Sequence, residues 1–348
     1  TMHLAGIMAR QLGLPGRTSA LVRAAALLHD VGHGPFSHAF EPLAREYLGH
    51  HHHDVADLLA SGEIRGALGA MGIGTDEVVS LIRGTHPLSG IIHGELDVDR
   101  MDYLLRDAHY TGALYGTVDA HRLIRNTFLM DGRLVLAESG VNAAESLLIA
   151  RTLMRPSVYF HHVSRIGEMM FQAAVMAHVE DDPAGGLSAL LSADDSACMQ
   201  ALLSSENVVA RDLALRIYER RLYKRALWVG RDRVNTARMA RCTSHERRRE
   251  VGERIAAEAG IDPSLVMVDI PPFPSEMSLP VQVRHQKRAV PLSELSPLLH
   301  TLNETRKGQW RLGVYTPAEY REEVGEIAAE VLHVKPATTQ EPLFPDDG

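Results

Sequence analysis

The sequence predicts a mainly α protein: a helical core interrupted by one small β-hairpin and followed by a small C-terminal α+β appendage. Three observations carry that expectation. The apolar content is dominated by Ala and Leu and aromatics make up only 5% of residues, which favours helix. Apolar positions recur at three- and four-residue spacing up to about residue 260. β-Branched segments punctuated by proline gather beyond about residue 263.

Leu4, Met8 and Leu12 share one face and predict a helix already under way at Thr1. The Gly13-Leu14-Pro15-Gly16 turn ends it, and Thr18 or Ser19 is positioned to cap a second helix running from Ala20 to His29. Helices are expected over residues 54–60, 75–83 and 118–126, with Asp97 capping another from Val98 to about Ala108. Phe128-Leu129-Met130, Asp131-Gly132 and Arg133-Leu134-Val135-Leu136 form a hairpin pattern with its turn signal. Residues 142–154 and 157–178 return to helix, and helices continue to about Gly260. Strands are expected at 265–270, 281–283 and 310–315, with an amphipathic helix over 317–332. The polar tail after Pro336 reads as disordered. The expected organisation is a core over 1–175, a helical extension over 176–262, the α+β region over 263–335 and the tail over 336–348.

A chain of 348 residues has room for one large core with appended pieces. With 45% hydrophobic and 23% charged residues it has an ordinary globular composition. A net charge of -8 excludes a general nucleic-acid binder, since phosphate backbones require a basic face, yet leaves room for a local basic pocket. Cys198 and Cys242 form no metal or redox spacing and read as idle thiols in a reducing compartment. No apolar run of 18 residues or signal peptide is seen, so the expectation is a cytoplasmic protein without membrane or sequence-specific nucleic-acid partners.

Three clusters carry chemistry. In Leu28-His29-Asp30-Val31-Gly32-His33-Gly34-Pro35-Phe36-Ser37-His38 an apolar helix ends directly in His-Asp, and two more histidines follow. A neutral imidazole beside a carboxylate suits a divalent metal. Gly32 and Gly34 permit sharp turns and close approach. The second cluster runs from Glu95 to Asp107, where Asp99, Tyr103 and Asp107 line one helix face and Arg100 and Arg106 flank them. Taken alone that stripe is equally a solvated charged face. The third, from Arg151 to Arg165, sets Arg151, Arg155, Tyr159, His161, His162 and Arg165 among apolar residues. Its arginines suit phosphate oxygens, although a structural role is open too.

In this order the clusters resemble the HD-domain superfamily, and within it the branch of deoxynucleoside triphosphate (dNTP) triphosphohydrolases. The likeness covers residues 1 to 175 well and later regions more loosely, and it implies an all-helical HD-domain core. It implies that His29, Asp30 and Asp99 are metal ligands. The first His of the H…HD…D motif would belong to an Arg-x-x-His-Ser-Leu-Gly segment just upstream of Thr1; His3 is not that ligand. His33 and His38 would lie near the scissile phosphate. Glu41 stands where the mammalian relative has Asp, and His53 would be the catalytic histidine, leaving its three neighbours at the surface. Tyr103 and Asp107 would contact the deoxyribose, Arg100 and Arg151 the phosphates, and Tyr159 the sugar or base. His162 replaces a Lys.

The resemblance thus implies a divalent metal cofactor (Mn, Mg, Fe, Ni or Zn) and hydrolysis of a dNTP to deoxynucleoside and triphosphate. His53, oriented by Glu41, would be the general acid, while His33, His38, Arg100 and Arg151 offset developing charge. It implies a homo-oligomer, dimer or tetramer, with an allosteric nucleotide as a further partner. The alternatives are a nucleotidase for other nucleotides and a non-catalytic nucleotide-binding regulator.

Overall fold

A computed structural model describes residues 1–274, 281–286 and 288–336. The chain is mainly helical and divides into two compact units, each assembled from separated stretches. The first comprises Thr1–Ser164, Val179–Ala201 and Ser275–Arg306, and the second Arg165–His178, Leu202–Pro274 and Lys307–Gly348. The stretches 176–262 and 263–335, expected as contiguous regions, are therefore each shared between the units. The tail expected to be disordered lies outside the described residues after Pro336.

The first unit is built on the helices Met2–Gln11, Gly16–Leu28, Thr75–Ile82, Val98–Thr111 and Val141–Met154. Their apolar stripes meet in one core that includes Met8, Val22, Leu81, Ile82, Met101, Leu104, Leu147 and Leu148. Alanines at 5, 25 and 26 are buried and let the first two helices approach closely. Asp97 caps the Val98–Thr111 helix, its Oδ1 accepting from the Arg100 backbone N–H at 2.7 Å. Gly112, at φ 72°, ends that helix in the left-handed region that glycine tolerates best.

The hairpin forms as the turn signal predicts, with β1 (Thr127–Met130) antiparallel to β2 (Arg133–Ala137). Asp131 and Gly132 both have positive φ, matching the twist of the strands they join. Its partners differ from expectation. β5 (Gln282–His285), anticipated in the C-terminal appendage, runs parallel to β2, and β6 (Arg288–Pro291) extends the sheet to the order β1-β2-β5-β6. Val283 thereby joins the core of the first unit.

In the second unit β7 (Arg311–Thr316) is the central strand between β3 (Lys224–Gly230) and β4 (Met267–Asp269), all antiparallel. The helices His245–Ala259 and Arg321–Val331 pack on this sheet over Val229, Val268, Trp310, Leu312 and Val314. β3 corrects the expectation of unbroken helix to Gly260. Its sequence, Lys-Arg-Ala-Leu-Trp-Val-Gly, has no clear period of two, and pairing with a strand some 90 residues later decides its conformation. The helix expected over 157–178 begins at His162, after a π-type turn over Arg155–Tyr159. Pro156 offers no N–H to an α-helical ladder, and the turn accommodates it. Among the described residues no helix is long and apolar enough to cross a membrane.

Candidate active site

His29, at the C-terminal end of the Gly16–Leu28 helix, faces two carboxylates. Its Nε2 lies 3.3 Å from Asp30 Oδ2 and 3.2 Å from Asp99 Oδ1. One donor atom from each of the three residues falls within 4.8 Å of the others. Nδ1 of His29 is 3.1 Å from the Ala26 carbonyl oxygen, an arrangement that places the ring proton on Nδ1 and leaves an Nε2 lone pair. That Nε2 is buried and makes no hydrogen bond. A buried polar atom without a partner costs about 1–3 kcal/mol, and a cation shared with the facing carboxylates removes that cost. Burial opposes charge on this ring, but Asp99 and Asp30 outweigh it and raise its pKa. Two carboxylates and an imidazole fit a divalent metal such as Mn, Mg, Fe, Ni or Zn. The Thr1 hydroxyl also reaches this point, 3.2 Å from Asp99 Oδ1.

A second constellation adjoins the first through Asp30, whose Oδ1 is 3.5 Å from His33 Nε2. The His33 ring stacks on that of His52 with centroids 4.2 Å apart. Glu41 Oε1 accepts from His52 Nδ1 at 2.7 Å and from Arg45 at 3.0 Å, while its Oε2 is 3.4 Å from His38 Nδ1. His38 and His52 hold the Glu41 carboxyl far below the usual carboxylate range, so it stays ionised. The histidine oriented by Glu41 is therefore His52, where the sequence pointed to His53. His53 instead packs against His52 and, edge-on at 4.8 Å, against His93. Burial, with His52 and His93 beside it, lowers the His53 pKa to about 4. Four consecutive histidines in a loop carry no period, so nothing in the sequence distinguishes the inward ring from the others.

The backbone explains why His52 turns in. A Cβ on Gly32 would lie 2.1 Å from the His52 carbonyl oxygen, so only glycine permits the two loops to touch. His50 fastens the same contact from the other side, with Nε2 3.1 Å from the Gly32 carbonyl oxygen.

The phosphate-binding candidates lie beyond Asp99 on the Val98–Thr111 helix and across from it. Arg100 pairs with the buried Asp97 at 2.6 Å, and Arg151 pairs with Glu95 at 2.8 Å. Tyr103 meets Tyr159 edge-on, with centroids 5.9 Å apart, and the Tyr159 hydroxyl donates to Asp107 Oδ2 at 2.9 Å. Burial and that bond raise the Tyr159 pKa, keeping the phenol protonated. Other members of the third sequence cluster go elsewhere. Within the second unit Arg165 forms a two-pronged ion pair with the buried Asp269, and Arg155 of the first unit lies over the Phe160 ring at 3.6 Å. His161 and His162 face each other with centroids 4.4 Å apart. Glu95 and His52 are the members that sequence reasoning did not single out.

Comparison with known proteins identifies the family. Residues 1–107 match the HD domain and residues 118–343 the HD associated region, the latter over more than half of the chain. An uncharacterized protein of Methanocaldococcus jannaschii is 30% identical over 312 residues, covering 88% of this chain and 65% of that protein. The deoxynucleoside triphosphate triphosphohydrolase SAMHD1 homolog of Dictyostelium discoideum is 30% identical over 194 residues, covering 49% of this chain and 37% of that protein. The chain thus spans less than two thirds of the length of both. A crystal structure of a hypothetical protein from Aquifex aeolicus superposes with a TM-score of 0.71 at 26% identity, covering 94% of this chain and 84% of that one. The chain belongs to the HD-domain phosphohydrolases that carry an HD-associated region, and within them it resembles the SAMHD1-type proteins.

Proposed function

We propose that this HD-domain phosphohydrolase is a dNTP triphosphohydrolase, releasing a deoxynucleoside and inorganic triphosphate. The observation that carries the reading is the buried, unpartnered His29 Nε2 held between Asp30 and Asp99, beside a Glu41–His52 pair and two arginines. When bound there, a divalent metal supplies Lewis-acid polarisation of a phosphoryl oxygen and a more acidic water.

The chain's own residues supply the rest. Water oxygen attacks the α-phosphorus, the bond from phosphorus to O5′ breaks, and a proton must reach O5′. His52 delivers that proton: ionised Glu41 accepts from Nδ1 and stabilises the imidazolium, leaving Nε2–H for the leaving oxygen. His33 and His38 flank this donor, and Arg100 and Arg151 offset charge on the phosphate chain. Tyr103 and Tyr159 bound the sugar side, with Asp107 as acceptor for the 3′ hydroxyl. A 2′ hydroxyl against Tyr103 loses its water without gaining a partner, which disfavours ribonucleotides by about 1–3 kcal/mol. The same reading extends to a homo-oligomer. The exposed apolar residues Tyr110, in the last turn of the Asp99 helix, and Leu114 and Tyr115, just after it, are its candidate contact.

The test is direct. Purified protein is incubated with each dNTP and each NTP in Mn²⁺ or Mg²⁺, and the products are separated by chromatography. Deoxynucleoside with triphosphate supports the reading. Release of orthophosphate or pyrophosphate, or hydrolysis of monophosphates alone, refutes it.

A further inference from the structure

The loop that carries His33 and His38 adopts a conformation its own residues disfavour. Phe36 stands at φ 54° and ψ 23°, and Ser37 at φ 41°, both in the left-handed region and neither a glycine. A bulky residue such as Phe visits that region rarely, because its Cβ crowds the backbone. Buried Pro35 and Phe40 anchor the chain on either side, so the reversal is completed between them. His38 sits in the turn Ser37–Ala39 that these residues open, and Glu41 follows Phe40 directly. The turn therefore sets where His38 and Glu41 stand. Through the 2.7 Å bond from His52 Nδ1 to Glu41 it sets His52 as well.

A distant stretch of the same unit, Val179–Ala201, meets this loop at two points. The helix Pro183–Leu191 buries Leu187 and Leu190 and packs on the turn Ala44–Leu48. At its end Leu191 approaches Gly34 so closely that a Cβ there would stand 3.1 Å from Leu191 Cδ1. Four residues on, Asp195 Oδ1 accepts from the Phe36 backbone N–H at 2.7 Å, across 159 positions of sequence. Capping of the helix Asp195–Leu203 falls to the neighbouring residue: Asp194 Oδ1 accepts from the Ala197 N–H at 2.7 Å. The two aspartates thus divide the work, one for the helix and one for the loop. A carboxylate accepting from a backbone N–H makes a charge-assisted bond, one of the stronger kinds. With Pro35 and Phe40 anchored, relaxing Phe36 toward negative φ reorients the peptide plane that carries this N–H and breaks the bond.

We propose that Asp195 is a positioning residue of the candidate active site: by holding the Phe36 N–H it keeps the left-handed turn that presents His38 and Glu41 to His52. The role in turnover rests on the proposed reaction; the brace itself rests on the loop geometry alone. Asp195 acts through the backbone, so its loss is felt as misplaced proton-transfer groups and not as weaker substrate binding. His29 and Asp30 precede the turn and Asp99 lies on another helix, so metal uptake is expected to survive its removal.

The experiment uses the full chain loaded with Mn²⁺ and compares wild type, Asp195→Ala, Asp195→Asn and Asp194→Ala, together with Phe36→Gly alone and combined with Asp195→Ala. Steady-state kinetics read dNTP hydrolysis, elemental analysis reads bound metal, and hydrogen exchange followed by mass spectrometry reads the amides of residues 36–40. Asp195→Ala is expected to lower kcat about tenfold, about 1.4 kcal/mol of barrier, with KM and bound metal little changed. Its amides over 36–40 exchange faster. Asp195→Asn keeps an acceptor oxygen and recovers most of the rate. Asp194→Ala removes the helix cap, so it lowers the unfolding midpoint while kcat stays within about twofold. Glycine enters the left-handed region at little cost, so in the Phe36→Gly background losing the Asp195 carboxylate costs about threefold or less.

A wild-type kcat in Asp195→Ala overturns the proposal. So does an equal loss in Asp194→Ala, which would assign the effect to the start of the helix. An undiminished loss in the Phe36→Gly background overturns it too, because the carboxylate would then be doing something other than holding the turn. Faster exchange over 36–40 in Asp195→Ala, in a protein whose wild type hydrolyses no dNTP, retains the brace and removes the proposed substrate.

Discussion

Gly32→Ala tests whether contact between the two histidine-bearing loops sets the geometry of catalysis. The added Cβ would stand 2.1 Å from the His52 carbonyl oxygen, 2.9 Å from its carbonyl carbon and 3.1 Å from Val55 Cγ1. Backbone oxygen cannot rotate away as a side chain can, and Val55 is fully buried, so the loop has no free direction in which to yield. Relieving the clash requires a displacement of roughly 1 Å, with an overpacking cost of about 1–3 kcal/mol. A misplacement of about 1 Å in a positioned catalytic group can cost about 100-fold in rate. The expected outcome is therefore a large loss of kcat with a modest loss of stability. Initial rates of dNTP hydrolysis are measured at matched bound metal, quantified by elemental analysis, alongside thermal unfolding. His50→Ala is the comparison. It removes only the 3.1 Å bond to the Gly32 carbonyl oxygen, worth about 1 kcal/mol, and leaves the backbone room to settle. A Gly32→Ala protein whose rate and melting midpoint both match wild type refutes the reasoning.

Three further outcomes follow from the same site. His52→Gln is expected to lose about 100- to 10,000-fold in kcat, and Glu41→Gln somewhat less, whereas His53→Gln stays within about tenfold; the reverse ranking of His52 and His53 in steady-state rates would return the proton-donor role to His53. Acid should weaken the fold through His53. Its folded pKa of about 4 lies below the unfolded value near 6.5, so the unfolded chain binds the extra proton and stability falls as pH drops from about 6.5 to 4. After allowance for partial exposure the loss is about 1 kcal/mol, and urea melts across that range should show a shallower slope for His53→Gln. Tyr103→Ala is expected to relax the preference for dATP over ATP, while Asp107→Ala lowers turnover of both; an unchanged kcat/KM ratio in Tyr103→Ala would leave Tyr103 as a packing residue.

Local pattern was sufficient for many elements. Asp97, Gly112 and the Asp131-Gly132 turn fix a helix start, a helix end and a hairpin with their own side chains or backbone freedom, and such signals survive in a linear reading. The ligand candidates His29 and Asp30 are neighbours at a helix end, and Asp99 sits on the stripe that Asp97 caps, so their residue types and motif were visible. What the sequence did not contain were the long-range pairings. β3 became a strand because β7 lies against it, and β5 left the appendage because β2 offered a parallel edge.

The same division holds inside the site. The sequence by itself determined that a His-Asp pair, a downstream Asp and a set of arginines belong to a mainly helical phosphohydrolase fold. The tertiary structure decided which of four adjacent histidines meets Glu41, because the choice depends on Gly32 admitting the His52 carbonyl at closer than Cβ distance. It decided that Arg151 faces Glu95 while Arg165 is drawn to Asp269. Periodicity reports which face of an element is buried; the facing element supplies the partner, and that is settled by packing across distances the local sequence does not encode.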